Sequence, residues 1–402
     1  MFDYPRYLYR APLVITGPGQ VIEDGGVITE DGLVTAVGRY ADLKSADAEL
    51  EEYGGHVILP SLLNCHAHLE LSVFGSLGQA PVPEGGITGW IRALLALRAE
   101  NPGEELIHDA AIMALARLYA GGCRLVLDIG NQEASSTIGQ GFKTESRFFL
   151  ELLGLCGASE QAALARLADL PEALACTAHA PYSCGPELLQ AIKTRANGMS
   201  QLLPIHVAES AEEVEFLHAG SGPFRDFLLA RGLELGGFQP PGLVPIAYLD
   251  SLGLLDQHTL CVHGVHLSEE EIALLAERQA NLCLCPGSNR QLGVGIAPAE
   301  ALFAAGVPLV LGTDSLASNP SLSLWQEMAT LRQDHPGLAP AAVLAMATAN
   351  PAKLLGVEER MGIIAPGVSS ALLAVECPAT NPAAALDYLT SAGSDIRLEW
   401  LE

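Results

Sequence analysis

The chain is poor in positive charge. Its 402 residues carry 21 Lys plus Arg against 47 Asp plus Glu, a formal net charge of −26. Sequence-independent binding to nucleic acid relies on a basic surface, and adsorption to anionic lipid relies on clustered cations, so this balance argues against both. The acid is spread along the chain rather than gathered in a tail, which suits solubility through mutual repulsion. Long apolar runs are also missing, and none reaches the roughly 18 residues of a membrane span. No CxxC pair occurs among nine cysteines, an odd number that lies mostly in apolar stretches. Buried, reduced thiols in a cytosolic protein are the simplest account, and a cysteine-type zinc site is not expected. The N-terminus has no basic segment followed by an apolar core, so no signal peptide is expected and the expected location is the cytoplasm.

What is present is ample core material: 49% of the residues are hydrophobic. Residues 1–55 read as short strands, Leu13–Ile15, Gly26–Ile28 and Leu33–Val37, separated by Gly, Pro and Asp. From about 56 to 335 the pattern becomes strand then helix, repeated. Strands are expected near Val57–His66, Arg124–Asp128, Arg147–Glu151, Ala173–His179, Leu203–Val207, Thr259–His263, Asn281–Cys285 and Val307–Thr313. Helices are expected at about 88–99 and 104–120, and residues 220–255 form an insertion with helices of their own. Eight apolar strands alternating with helices predict an α/β fold, a (β/α)8 TIM barrel. Pro204 makes the Leu203 strand the least regular of the eight. A further β-segment at Ala371–Val375 can pair with the N-terminal one. The expected organisation is a barrel over 56–356 and a small β-sandwich domain from 1–55 plus 357–402.

The chemical groups sit at the C-terminal ends of these strands, where a barrel carries its active site. His66 and His68 are two apart, so on an extended strand they share a face. The end of the fifth strand places His206 and Glu209 at the mouth, the end of the sixth His263 and the end of the eighth Asp314. Three imidazoles and a carboxylate make a mononuclear metal site with one position left for water, whose pKa a zinc ion lowers to about 7. Glu209 can take that proton and pass it on, and His263 can orient the water. Each residue also has a plainer reading. Asp314 can cap a helix, Glu209 can sit in a first helical turn, and His263 can be a hydrogen-bonded core residue. Their recurrence at four strand ends favours a site.

Five motifs carry a family resemblance: Pro60-Ser-Leu-Leu-Asn-Cys-His-Ala-His68, His206-Val-Ala-Glu209, Val262-His-Gly264, Cys285-Pro-Gly-Ser-Asn289 and Gly312-Thr-Asp-Ser315. Together, over about residues 12–376, the chain resembles the amidohydrolase superfamily, in the branch of chlorohydrolases and aromatic-base deaminases. The resemblance implies that His66, His68, His206 and Asp314 bind one divalent metal, zinc in preference to iron or manganese. Glu209 would be the proton shuttle and His263 would lie beside the attacked carbon. His179 matches a histidine that faces the sugar in related nucleoside deaminases. Trp90 matches a tryptophan near the substrate, although helix packing explains it equally well. No lysine stands at the fourth strand end, where members with two metals carry one.

Within the branch, His66-Ala-His-Leu-Glu-Leu-Ser72, Glu151-Leu-Leu-Gly154 and Thr313-Asp-Ser-Leu-Ala-Ser-Asn319 look most like aminodeoxyfutalosine deaminases of the alternative menaquinone pathway. The implied reaction is hydrolytic: an activated water attacks the amino-bearing carbon of an adenine-type base and ammonia leaves. Deamination of adenosine, methylthioadenosine, adenosylhomocysteine or guanine is the alternative, and a chlorohydrolase or amidase would use the same ligands. A catalytically silent binding protein is disfavoured by the full ligand set. The expected partner is a small-molecule substrate, with neither nucleic acid nor membrane, and a homodimer by analogy with related proteins. One departure is Gly287, where the Cys-Pro-x-Ser-Asn motif usually has a basic residue. That weakens the case for an acidic substrate arm, with Arg290 as the nearby substitute.

Overall fold

The computed structural model describes residues 5–401. Strands β1 (Arg6–Gly17), β2 (Gln20–Glu30), β3 (Leu33–Arg39), β4 (Glu49–Glu52) and β5 (His56–Pro60) open the chain. Next come β6 (Leu62–Ala67), β7 (Cys123–Gly130), β8 (Glu145–Leu152), β9 (Cys176–Ala178), β10 (Leu203–Val207), β11 (Thr259–His263), β12 (Asn281–Leu284) and β13 (Leu309–Leu311). The last two are β14 (Leu372–Glu376) and β15 (Leu398–Leu401).

Both ends of the chain meet in one seven-stranded mixed sheet of order β15-β14-β5-β1-β2-β3, with β4 beside β1. β14 runs antiparallel to β5, from Leu372 opposite Pro60 to Glu376 opposite His56. The N-terminal strands are longer than their apolar triplets suggest, because β1 and β2 pair as a hairpin from Arg6–Glu30 to Gly17–Gln20. Tyr9, Val14, Val27, Ile58, Leu372 and Ala374 form the apolar cluster of this sheet.

Eight parallel strands make two further sheets, β6-β7-β8-β9 and β10-β11-β12-β13. All of β10 to β13 are buried, which fits their near-continuous apolar sequence. The expected first strand over 57–66 divides in two. β5 belongs to the mixed sheet and β6 to the parallel one, with the break at Pro60-Ser61. Proline lacks the N–H that a continuing ladder needs. Pro204 is accommodated for a geometric reason. Leu203 N–H donates to His258 O on the β11 side, whereas His206 N–H donates to His179 O on the β9 side. Pro204 shares the orientation of His206, so its missing donor spares the β11 ladder, and its carbonyl accepts the Thr177 hydroxyl.

The two parallel sheets touch at both edges. His206 N–H to His179 O, 3.0 Å, joins β10 to the end of β9. Thr313 and Asp314 N–H groups both donate to His66 O at 3.0 Å, joining the end of β13 to β6. Gly312 permits that second approach, since a Cβ there would lie 2.6 Å from His66 Cβ and 2.8 Å from Cys283 Sγ. Asn64 locks it: its side chain donates to Thr313 Oγ1 (2.7 Å) and accepts the N–H groups of Thr313 and His66 (both 3.2 Å). Among the described residues no helix is long and apolar enough to cross a membrane.

Asn64 is fully buried, so Asn64→Ala strips partners from buried polar groups at this seam. A loss of about 1–3 kcal/mol is expected, read as a lower urea midpoint at unchanged slope. An unchanged midpoint would show that the seam holds without it.

Candidate metal centre and cavity

Four predicted residues converge at the ends of β6, β10 and β13. His66 lies in β6 and is wholly buried, and neither of its ring nitrogens has a hydrogen-bond partner. His68 Nδ1–H donates to Ile129 O at 2.9 Å. His206 Nδ1–H donates to His179 O at 2.8 Å. A carbonyl oxygen can only accept, so both Nδ1 atoms carry the proton and both Nε2 atoms of the neutral rings present lone pairs. Those two Nε2 atoms face each other at 3.2 Å, with the rings nearly parallel. Asp314 Oδ1 lies 3.6 Å from Nε2 of both His66 and His68.

Burial lowers the proton affinity of all three imidazoles, most strongly that of His206, where neighbouring imidazoles add to the effect. Burial opposes ionisation of the Asp314 carboxyl, but His66, His68 and His263 outweigh it and hold the group well below the ordinary carboxylate range. Two lone pairs pointed at each other, an imidazole with no partner and a carboxylate oxygen beside them are mutually repulsive. A cation among them reverses the sign of each interaction. The donor set therefore fits a divalent ion, and N/O ligands of this kind suit a transition metal. The carbonyl bonds at Nδ1 are the usual supports that orient such ligands.

Glu209 and His263 join the same cluster. His263 Nδ1 is 2.9 Å from Asn289 Oδ1, and its Nε2 is 3.7 Å from Glu209 Oε1. Burial raises the proton affinity of the Glu209 carboxyl, with the neighbouring His263 acting in the opposite direction. Three non-glycine residues here have left-handed backbone: Ala208 (φ 53°), His263 (φ 75°) and Asp314 (φ 57°). Such conformers cost on the order of 1–2 kcal/mol each and persist where surrounding contacts over-determine them. At Ala208 those contacts are the N–H groups of Val265 and His266, both 2.8 Å from its carbonyl oxygen.

His68, His206, Glu209, His263 and Asp314 of this cluster line a cavity of about 410 Å³. His179 and Trp90 both line it. His179 Nδ1 is 2.7 Å from Ser183 Oγ. The Trp90 indole N–H is spent on Ala317 O at 2.9 Å, so the ring can offer a ligand only its surface. Sequence reasoning missed Glu151, at the end of β8. Its Oε1 is buried without a hydrogen-bond partner, 3.7 Å from His206 Nδ1, while Oε2 accepts from Asn131 Nδ2 at 2.8 Å. Its place at a strand end was the available signal. The supports of Asp314 were missed as well. Oδ2 accepts the hydroxyls of Ser288 (2.7 Å) and Ser318 (2.8 Å), and Oδ1 accepts Ser315 N–H (2.8 Å).

Ser288 and Asn289 thus explain the Cys-Pro-Gly-Ser-Asn motif: one steadies Asp314, the other His263. Gly287 has its own reason. Its N–H donates to Glu327 Oε2 at 2.7 Å, and Glu327 Oε1 accepts from Asn319 Nδ2 at 2.7 Å. A Cβ at 287 would lie 2.3 Å from Glu327 Oε1 and 2.7 Å from Asn319 Nδ2. This chain fills with Glu327 and Asn319 the space that a side chain at 287 would need. Arg290 does not substitute for a basic residue there, since it pairs with Asp334 at 2.7 Å and does not line the cavity.

Residues 57–394 match the Amidohydrolase family. The chain belongs to that family. It is a hydrolytic enzyme acting on carbon–nitrogen bonds. Among amidohydrolase relatives, a 5-methylthioadenosine/S-adenosylhomocysteine deaminase of Pyrococcus furiosus is 27% identical over 96% of this chain and 91% of its own. An aminodeoxyfutalosine deaminase of Deinococcus radiodurans is 30% identical over 87% of this chain and 85% of its own. The crystal structure of Helicobacter pylori aminofutalosine deaminase in complex with methylthio-coformycin superposes with a TM-score of 0.80 at 27% identity, covering 95% of this chain and 96% of that one.

Gly287→Ala is expected to lower stability by about 1–3 kcal/mol through overpacking against Glu327. Thermal melting checks it, and a melting temperature equal to that of the unaltered chain would mean that the Glu327–Asn319 pair yields freely.

Proposed function

We propose that this amidohydrolase is a metal-dependent deaminase of adenine-type nucleosides, with an aminodeoxyfutalosine-like nucleoside as the favoured substrate. The carrying observation is that Glu209 and His263 lie against the three-histidine, one-aspartate cluster beside one cavity. The deaminase names of relatives that span most of the chain support the reading. In it, the two parallel sheets close as a (β/α)8 barrel over 56–356, and the mixed sheet makes up a sandwich-like small domain from the two chain ends. His66, His68, His206 and Asp314 hold one divalent ion, zinc in preference to iron or manganese. When bound, that ion supplies Lewis acidity that makes water nucleophilic at neutral pH.

The residues of the chain handle the protons. His263, with Nδ1 engaged by Asn289, turns Nε2 to the attacking water, accepts a hydrogen bond from it and fixes its line of approach. Glu209 takes one water proton as the C–O bond forms and delivers it to the adjacent ring nitrogen. The second water proton reaches the exocyclic amine, the C–N bond breaks and ammonia leaves, so a hypoxanthine-type lactam remains. The raised proton affinity of Glu209 suits both receipt and return of a proton. His179 and the Trp90 ring face place the nucleoside, with Glu151 lining the cavity beside them. The second reading, a methylthioadenosine/adenosylhomocysteine deaminase, keeps every step and changes only the 5′ substituent. It is favoured by the Pyrococcus furiosus relative, which aligns over 96% of the chain.

Ammonia release by zinc-loaded protein, measured with aminodeoxyfutalosine, adenosine, methylthioadenosine, adenosylhomocysteine and guanine, tests this. Turnover of aminodeoxyfutalosine above the others is expected, with a loss of about 10²–10⁴-fold in Glu209→Gln. Preference for methylthioadenosine selects the second reading. No ammonia from any of the five would overturn deamination.

A further inference from the structure

Beyond the four-residue cluster, the cavity holds a second pair of donors of the metal-binding kind, Glu151 and His179. Glu151 lies near the end of β8 and His179 directly follows β9, its neighbour in the same parallel sheet. Both line the cavity. A carboxylate oxygen of Glu151, a ring nitrogen of His179 and a ring nitrogen of His206 all lie within 4.8 Å of one another. Glu151 is only 5% exposed. Asn131 Nδ2 holds its Oε2 at 2.8 Å, while Oε1 has no hydrogen-bond partner. A buried, unpaired carboxylate oxygen is costly unless a proton donor or a cation comes to it.

Hydrogen bonding decides which nitrogens are free. The Ser183 hydroxyl donates to Ala180 O at 3.1 Å. Its single proton is thereby spent, so at 2.7 Å from His179 Nδ1 it accepts. Nδ1 carries the His179 proton, and Nε2 of the neutral ring keeps a lone pair. His68 and His206 have the same tautomer, with a backbone carbonyl in place of the hydroxyl. Such a bond at the far nitrogen is the usual support of a metal-binding imidazole. His206 has nothing left to give this second pair: Nδ1–H goes to His179 O, and Nε2 faces His68 in the cluster. Two protein donors remain, an imidazole nitrogen and a carboxylate oxygen, both of types that bind zinc.

We propose that Glu151 and His179 form a second, weaker zinc site in the cavity, one that inhibits the enzyme when filled. Loss of an outer support alone costs a metal site about 10–100-fold in affinity. A site with two protein donors in place of four is weaker still, and the ion in the neighbouring cluster repels a second cation. Both donors line the cavity in which the nucleoside is placed, so the second ion and the nucleoside exclude each other. That exclusion rests on the nucleoside-deaminase reading, whereas the zinc site rests on its own donors. The chain is then inhibited by an excess of the ion it needs.

Equilibrium dialysis of the one-zinc protein against rising zinc, with bound metal counted per chain, tests it. Wild type is expected to take up a further equivalent with a Kd at least about 100-fold above that of the first. In Glu151→Gln the amide oxygen can still accept from Asn131, and in His179→Gln the backbone carbonyl that holds His206 is retained. Each variant should therefore keep the tight equivalent and bind one weaker equivalent fewer than wild type. Equal counts in wild type and both variants would overturn the site, any weak binding then being adventitious. The nucleoside analogue methylthio-coformycin supplies a second arm, and at saturation it should displace the weaker equivalent from wild type. A weaker equivalent that persists beside the bound analogue would overturn the inhibition. Failure of the analogue to bind, with the difference between wild type and variants intact, would instead sink the nucleoside reading and leave the zinc site standing.

Discussion

Electrostatic repulsion at the centre of the molecule is the constraint on which the rest depends. Two imidazole lone pairs meet at 3.2 Å, a third imidazole lies nearby with no partner, and a buried carboxylate oxygen sits 3.6 Å from two of the rings. Unscreened groups of this kind drive one another apart unless a positive charge lies among them. The scaffold is arranged to deny them escape. Carbonyls of Ile129 and His179 fix two rings, and two serine hydroxyls and a backbone N–H fix the carboxylate. Left-handed turns at Ala208, His263 and Asp314 direct the strand ends toward the same point.

That arrangement explains why so much structure surrounds so few chemical groups. The seams between the two parallel sheets lie beside the clustered side chains themselves: His206 N–H bonds across one, and His66 O accepts across the other. Sheet pairing and the geometry of this cluster are consequently one problem, and Asn64 and Gly312 serve both. Farther out, the cavity wall comes from the helix Gly86–Ala99 and the Pro223–Ala230 insertion, which can vary without disturbing the cluster.

Much of this was legible in the sequence because its signals are local. His66 and His68 share a strand face by spacing alone, His206 and His263 lie in the last residues of apolar strands, and Glu209 and Asp314 come shortly after such strands. The helix over 104–120 ends at Gly121-Gly122 as its sequence suggests. What was hidden depends on tertiary approach. The division of 57–66 between two sheets follows from β14 pairing with β5, more than 300 residues away along the chain. Glu151 gives no spacing signal, and its significance lies in an oxygen left unpaired beside His206. The reason for Gly287 sits 40 residues on, at Glu327. Arg290, adjacent to a site motif, faces Asp334 instead of the cavity, whereas Arg231, in an insertion without a motif, lines it.

The most direct test of the central claim is the metal content of protein purified without added metal or chelator, taken with its melting temperature before and after chelation. The account predicts about one equivalent of a divalent transition metal per chain. It also predicts a marked fall in melting temperature once the ion is stripped, reversed by zinc, because an ion that binds only the folded state stabilises it. A chain that is metal-free as purified, and whose melting temperature responds to neither chelator nor zinc, would contradict it.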